Sequence, residues 1–403
     1  MSYSNEIQIE IDDVYGCPGH CPGCALSSLE KRSNTPDMDF ETLKLSIEKL
    51  IPYVNSLSNL EKLNLTYGIA DHFLMSNEYL EKTYLLGADL IEKTGMNNGY
   101  NGVFFSASMI GKHENIMKKV EYLHNVSQKR GVPFYIIAVL DPKNLYKKNF
   151  SDVYKNNIVK TNELIGKVDL SINLSEEAID NISPKEIYDF TLNNHFDELT
   201  INWIPTNDNI NFVYFEQSKL SKWLMELDKI IEEDGEKIGT SYRTVMLRTI
   251  NSIMCSSDNN LESDFNQEIK MKLHELVGKS IQISDKGDIF PKYEAIGDIP
   301  HSPRLGIEAW GNIHENKSIE EIIKNGLNKT EKFILKQFIK EPCLSCEYNK
   351  FCSNSGFHIY NYILGKNLNI RDKVKENIKN RNCYHVGKEM FSYYYDKEIF
   401  KNT

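Results

Sequence analysis

Residues 16–24 read Gly-Cys-Pro-Gly-His-Cys-Pro-Gly-Cys, so Cys17, Cys21 and Cys24 fall within eight positions. Thiolates are nucleophiles and soft metal ligands, and clustered thiols in a long chain of ordinary composition point to a metal. Structural zinc takes four protein ligands and disulfides take pairs, so a set of three leaves one coordination position to fill. Gly19 and Gly23 permit backbone conformations that other residues avoid, and with the prolines they make a loop able to wrap a metal centre. Three thiolates from one tight loop suit three corners of a cubane 4Fe–4S cluster whose fourth iron stays open to a substrate or cofactor. A zinc knuckle with His20 as the fourth ligand is the competing reading.

A second group, Cys343, Cys346, Cys352 and Cys383, supplies four thiolates and hence a closed site, a zinc ribbon or an iron–sulfur cluster. Cys255 stands alone in Asn-Ser-Ile-Met-Cys-Ser-Ser and reads as a small structural or surface thiol.

The elements that must hold these cysteines follow from hydrophobic period. Strands are expected at 6–11, 60–68, 103–108, 133–141, 167–175 and 198–206, where apolar residues alternate or run together. Helical spacing is expected at 39–54, 76–94 and 113–131, in Pro-Lys-Glu-Ile-Tyr-Asp-Phe-Thr-Leu-Asn-Asn-His-Phe from 184, and at 216–233. About six β-α units imply a parallel sheet wrapped by helices, and six strands rather than eight favour a partial, open barrel. In such folds the loops leaving the C-terminal ends of strands build the site, and the first cysteine loop leaves the first strand there. Beyond about 240 the pattern changes. A helical connection is expected over 241–277, then a β-hairpin turning at Asp285-Lys286-Gly287, then helices with the second cysteine group.

The Cys17-x3-Cys21-x2-Cys24 order after a first strand resembles the radical SAM superfamily. The resemblance implies that the open iron is chelated by the amino and carboxylate groups of S-adenosylmethionine (AdoMet). It further implies reductive cleavage to a 5′-deoxyadenosyl radical that abstracts hydrogen from a substrate. One departure is Gly23, where the family commonly has an aromatic residue. The family often ends its second strand in Gly-Gly-Glu; here Thr66-Tyr67-Gly68-Ile69-Ala70-Asp71 stands there. Gly68 matches the second glycine, Ile69 takes the place of the acid, and Asp71 is either its substitute or an ordinary loop acid. Strand order places Asp141 and Asn173 at the ends of the fourth and fifth strands. The resemblance gives such residues a role on the nucleoside, and turn residues are the alternative.

The second cysteine group resembles the SPASM or twitch extension that follows radical SAM barrels. Ile283 to Pro291 resembles its hairpin, and Gly311-Asn312-Ile313 with Ser318 to Ile322 resembles its turn and following helix. The resemblance implies a partial (β/α)6 TIM-like barrel over 1–240, a connection over 241–277 and an α+β extension over 278–403. Lys292 and Gly356 stand where that extension has cysteines, and no cysteine lies between 256 and 342. Two 4Fe–4S clusters are therefore expected, a catalytic one on Cys17, Cys21 and Cys24 and an auxiliary one on Cys343, Cys346, Cys352 and Cys383. The auxiliary cluster has no vacant iron, which suits electron transfer or structural support.

Relatives of this type mostly modify peptides or proteins, so a peptide or protein substrate is expected, with a small metabolite or a non-catalytic iron–sulfur protein as alternatives. Only sixteen residues precede Cys17, so no N-terminal leader-binding domain is expected. A reductase such as flavodoxin or ferredoxin is the expected electron donor. The net charge of −10 argues against a general nucleic-acid or anionic-membrane surface. Neither a membrane-length apolar run nor a secretory signal is present, so the expected location is the cytoplasm. A catalytic hydrogen-transfer residue is not legible. The aromatic run Phe391 to Tyr395 is read as a packed terminal element or a cover for a cleft.

Overall fold

The computed structural model describes residues 5–19, 26, 29–68, 70–97, 101–140, 151–196, 198–202, 217–240, 280–291, 308–327, 389 and 392–393. Cys21, Cys24, Asp141, Cys255 and the four C-terminal cysteines lie outside these residues, as does the expected helical connection.

Alternating Glu6–Ile11 forms β1, and five further strands follow as the pattern requires: β2 (Lys62–Tyr67), β3 (Gly102–Ala107), β4 (Phe134–Leu140), β5 (Val168–Asn173) and β6 (Glu198–Asn202). Two-residue β7 (Gly239–Thr240) extends the series. Then come β8 (Ser280–Ile283), β9 (Asp288–Pro291) and β10 (Gly311–Asn312). They make one ten-stranded sheet of order β10-β9-β8-β1-β2-β3-β4-β5-β6-β7. Strands β1 to β7 and β8 run parallel, while β9 and β10 are antiparallel additions. Parallel neighbours need crossover helices, and the helices lie between the strands in sequence.

Local chemistry sets the helix limits. α1 (Phe40–Ser56) starts where the Asp39 side chain accepts from the Thr42 amide at 2.9 Å. α2 (Asn77–Lys93) is capped by Ser76, and α3 (His113–Arg130) ends at Gly131 in the left-handed region. The helix Pro184–Asn193 opens on a capping box of Ser183 and Glu186 with proline in its first turn. Helices at Ser151–Ile165 and Glu176–Asn181 go beyond the sequence expectation; Asn157, Thr161 and Asn162 interrupt the apolar stripe of the first, and the second is only six residues long.

The two faces of the sheet differ in chemistry. Ile7, Ile9, Ile11, Leu63, Leu65, Val103, Phe105 and Ile136 are fully buried, each contributing about 1.5–3 kcal/mol on burial. This face meets the helices, since a Cβ on Gly87 of α2 would lie 2.8 Å from Val103 and 3.0 Å from Leu65. By strand alternation, Glu10, Thr66, Ser106 and Ser171 occupy the opposite face, interleaved with Phe104, Tyr135, Ile137 and Val139. A parallel strand covered on both faces reads as a continuous apolar run, as β4 does, whereas β1 and β2 alternate and bring polar side chains to this second face.

The hairpin β8–β9 joins the sheet through β1. Ile283 accepts from the Asp12 amide at 2.9 Å, and Gln282 Nε2 donates to Asp12 Oδ2 at 2.8 Å. Gly287 takes a positive φ of 77° in the turn.

Candidate functional site at the strand ends

Residues 12–19 leave β1 at the C-terminal edge of the parallel strands. This loop is tied on three sides. The Cys17 amide donates to the Lys31 carbonyl at 3.1 Å, the Asp37 amide donates to the Asp13 carbonyl at 2.9 Å, and the Tyr15 amide donates to Asp37 Oδ2 at 2.7 Å. Gly16 lies so close to the returning chain that a Cβ there would sit 2.0 Å from the Ser33 carbonyl oxygen. The Tyr15 hydroxyl reaches across to Asp285 Oδ1 at 2.9 Å, linking the loop to the hairpin turn.

Cys17 is half-buried, and its Sγ accepts from the Gly19 amide at 3.3 Å. An N–H···S bond of this kind supports a thiolate, the form that binds metal. The Lys31 ammonium sits at the same loop, donating to the Gly19 carbonyl at 3.3 Å. The described part of the loop thus fits an iron–sulfur ligand at Cys17. Among the described residues no set of three metal-ligating side chains converges, and the partners Cys21 and Cys24 lie outside them.

Gly68 ends β2 beside this loop. Its φ is 69°, its amide donates to the Ile11 carbonyl at 2.7 Å, and its carbonyl accepts from the Ser106 hydroxyl at 2.9 Å. A carbonyl oxygen has two lone pairs, so this one retains capacity for a ligand amine. The Asp71 amide donates to the Gly16 carbonyl at 2.9 Å, placing the Gly68–Asp71 turn directly against the residue before Cys17.

Asp71 itself is 1% exposed. Its carboxylate accepts from the Phe73 amide at 3.0 Å and from the Ser108 hydroxyl at 2.5 Å, capping the short helical turn His72–Leu74. Burial raises its carboxyl pKa, and the Ser108 and Phe73 hydrogen bonds pull it back. Asn173 ends β5 in register with Asn202 of β6.

Sequence reasoning missed a fully buried histidine at this edge. His72 Nε2 lies 2.8 Å from Asp13 Oδ1, and its Nδ1 lies 3.2 Å from the Ser106 carbonyl. The Tyr79 hydroxyl donates to Asp13 Oδ2 at 2.8 Å. The Tyr67 hydroxyl is buried in the same layer, and its ring stacks on Phe105 with centroids 5.5 Å apart. Burial alone would lower the His72 pKa; the Asp13 carboxylate and the Ser106 carbonyl outweigh it and hold it above 6.5. Nothing in the local spacing of His72 and Asp13 announces the pair, because they come from different β-α units.

Burial and the neighbouring Glu10 charge raise the Asp12 carboxyl, and burial raises that of Asp37. Asp12, Asp13, Asp37 and Asp285 therefore crowd the start of the strand-end loop.

No protein-family model and no curated protein matches the chain. Solved structures do. One is described as native anSMEcpe with bound AdoMet and Cp18Cys peptide, with TM-score 0.55 and 13% identity over 93% of this chain and 99% of that one. A His-tagged anSMEcpe with bound AdoMet gives TM-score 0.56 and 13% identity over 93% and 99%. Streptococcus suis SuiB bound to precursor peptide SuiA gives TM-score 0.54 and 14% identity over 92% and 76%. At these identities the likeness shows the fold alone, shared over nearly the whole chain.

Proposed function

We propose that this chain is a radical SAM enzyme acting on a peptide or protein. The observation that carries the reading is the backbone bond from Asp71 to Gly16, which brings the first cysteine loop and the Gly68 turn together at one strand edge. Cys17, Cys21 and Cys24 would hold the catalytic 4Fe–4S cluster, and Cys343, Cys346, Cys352 and Cys383 the auxiliary one. Gly68, Asp71, Asp141 and Asn173 would surround AdoMet. When bound, the catalytic cluster supplies the electron that cleaves AdoMet to a 5′-deoxyadenosyl radical.

The chain's own residues do the positioning. The Gly68 carbonyl offers an acceptor to the methionine amino group, while its amide stays bound to Ile11. Lys31, bonded to the Gly19 carbonyl, would offset the anionic charge of a thiolate-bound cluster. The face that carries Glu10, Thr66, Ser106 and Ser171 among apolar neighbours would meet the substrate side, with the opposite, fully apolar face packed behind it. The peptides named in the AdoMet- and SuiA-bound relatives support a peptide in preference to a small metabolite. A partial barrel over 1–240, an extension over 278–403, a flavodoxin- or ferredoxin-like donor and a cytoplasmic setting complete the reading. Among the described residues no helix is long and apolar enough to cross a membrane.

A non-catalytic reading has one observation in its favour. Ile69 replaces the expected acid, and the Asp71 carboxylate is already engaged by Phe73 and Ser108. Anaerobic reconstitution decides between them. The enzyme should convert AdoMet and dithionite to 5′-deoxyadenosine; a protein carrying about eight irons per chain that forms none is not a radical SAM enzyme.

A further inference from the structure

We propose that the buried His72–Asp13 pair is a positioning strut that fixes the Cys17 loop against the Gly68–Asp71 turn and thereby sets how tightly AdoMet is held between them. The inference rests on the functional reading above and names residues that reading does not use.

His72 meets three strand ends at once. Its ring bonds to Asp13 beyond β1 and to the Ser106 carbonyl of β3. It also packs against Gly68 beyond β2, where a Cβ would come within 2.2 Å of His72 Cε1. Both ring nitrogens face acceptors, so the ring cannot turn without losing a bond. Asp13 is held in its turn by the Tyr79 hydroxyl, and its carbonyl by the amides of Asp37 and Met38. Two backbone rungs run beside the ring, Gly68 to Ile11 and Asp71 to Gly16, and they join the same two loops.

Stability alone does not account for an ion pair here. The ring sits 5.4 Å from Phe105 and 6.5 Å from Tyr67, a setting that suits an apolar side chain. Replacing a buried ion pair by well-packed apolar groups is often neutral or stabilising. What the pair adds is direction: one ring nitrogen is held by Asp13 of the cysteine loop and the other by the Ser106 carbonyl of β3, so the ring is fixed between them.

The test compares wild type, His72→Phe, Asp13→Asn and Tyr84→Phe. The last removes a buried hydroxyl bond to the Val132 carbonyl, 2.6 Å long, at the opposite end of the strands. Each protein is reconstituted anaerobically. Iron content, melting of the iron-free form, AdoMet KM and kcat, and the AdoMet concentration that half-saturates the change in the reduced-cluster EPR signal are measured.

His72→Phe and Asp13→Asn should retain iron and raise the half-saturating concentration about 10–100-fold. KM should rise more than kcat falls. Tyr84→Phe should lower the melting point without moving the EPR response. Half-saturation within about twofold of wild type in iron-loaded His72→Phe overturns the strut. So does an equal shift in Tyr84→Phe. If His72→Phe does not fold, the isosteric Asp13→Asn carries the reading, and failure of both to fold marks the pair as structural support and overturns the proposal. A wild-type cluster that ignores AdoMet defeats the functional reading itself, a result distinct from any difference among variants.

Discussion

His72 and Asp13, drawn from two different β-α units, form a fully buried ion pair 2.8 Å long at the strand edge where the first cysteine loop begins. Ser106 occupies the other ring nitrogen through its carbonyl, so only the doubly protonated ring satisfies both acceptors. Removing one member of such a pair leaves a buried charge without its partner and costs about 3–5 kcal/mol.

A pH dependence follows. The folded pKa of His72 is raised above 6.5, so the folded protein binds this proton more tightly than the unfolded chain. The contribution is complete below 6.5 and is lost as pH climbs through the higher folded value. Melting of iron-free protein should fall over that rise, and His72→Phe should flatten the slope. A slope unchanged by the substitution would assign the dependence to other groups.

Gly68→Ala should destabilise the site. Its φ is 69°, a region costly to residues with a Cβ, and the added atom would strike His72 at 2.2 Å. The strain alone is worth about 1–3 kcal/mol. Urea midpoints of the iron-free protein measure it; Gly95→Ala, also at positive φ but with nothing near its added Cβ, is the control and should cost less.

Gly16→Ala acts on the metal loop. The new Cβ would lie 2.0 Å from the Ser33 carbonyl, and backbone cannot yield as a side-chain tip can. The loop must shift, and Cys17 with it. Iron after reconstitution should drop from about eight to about four per chain while the second cysteine group stays loaded. Full loading would show that the close approach does not hold the ligand.

The two cysteine groups should separate by function. Cys17→Ala, Cys21→Ala and Cys24→Ala should each abolish AdoMet cleavage, whereas Cys346→Ala should leave some. Quantified 5′-deoxyadenosine per reduced enzyme checks both. Equal loss in all four would make the second cluster part of the cleavage step.

Much of the scaffold was legible because periodicity is local. Glu6–Ile11 alternates and forms β1 over those same residues, and the 113–131 helix ends at Gly131 because glycine tolerates the left-handed cap. The helix Ser151–Ile165 was hidden because buried Asn157, Thr161 and Asn162 stand where an apolar stripe is expected; Asn157 instead bonds the carbonyls of Met109 and Gly111, and Asn162 those of Asn194 and His195. β7 was too short, at two residues, for any period to register. At the site, Cys17 announced itself by spacing and Gly68 by resemblance. His72 and Asp13 did not, because an ion pair between loops leaves no trace in either loop alone.

The seat of β8 has a temporal consequence. β1 is flanked by β2 on one side and by β8 on the other, and Tyr15 meets Asp285 across 270 positions of chain. At about 5–20 residues per second a ribosome needs roughly 14–54 s to make that interval. Throughout it the newborn thiols stand beside a strand with one edge bare. Iron delivery that requires the finished loop must therefore wait until translation has passed the hairpin, and stalled or truncated products should emerge metal-poor and prone to pairing at that edge.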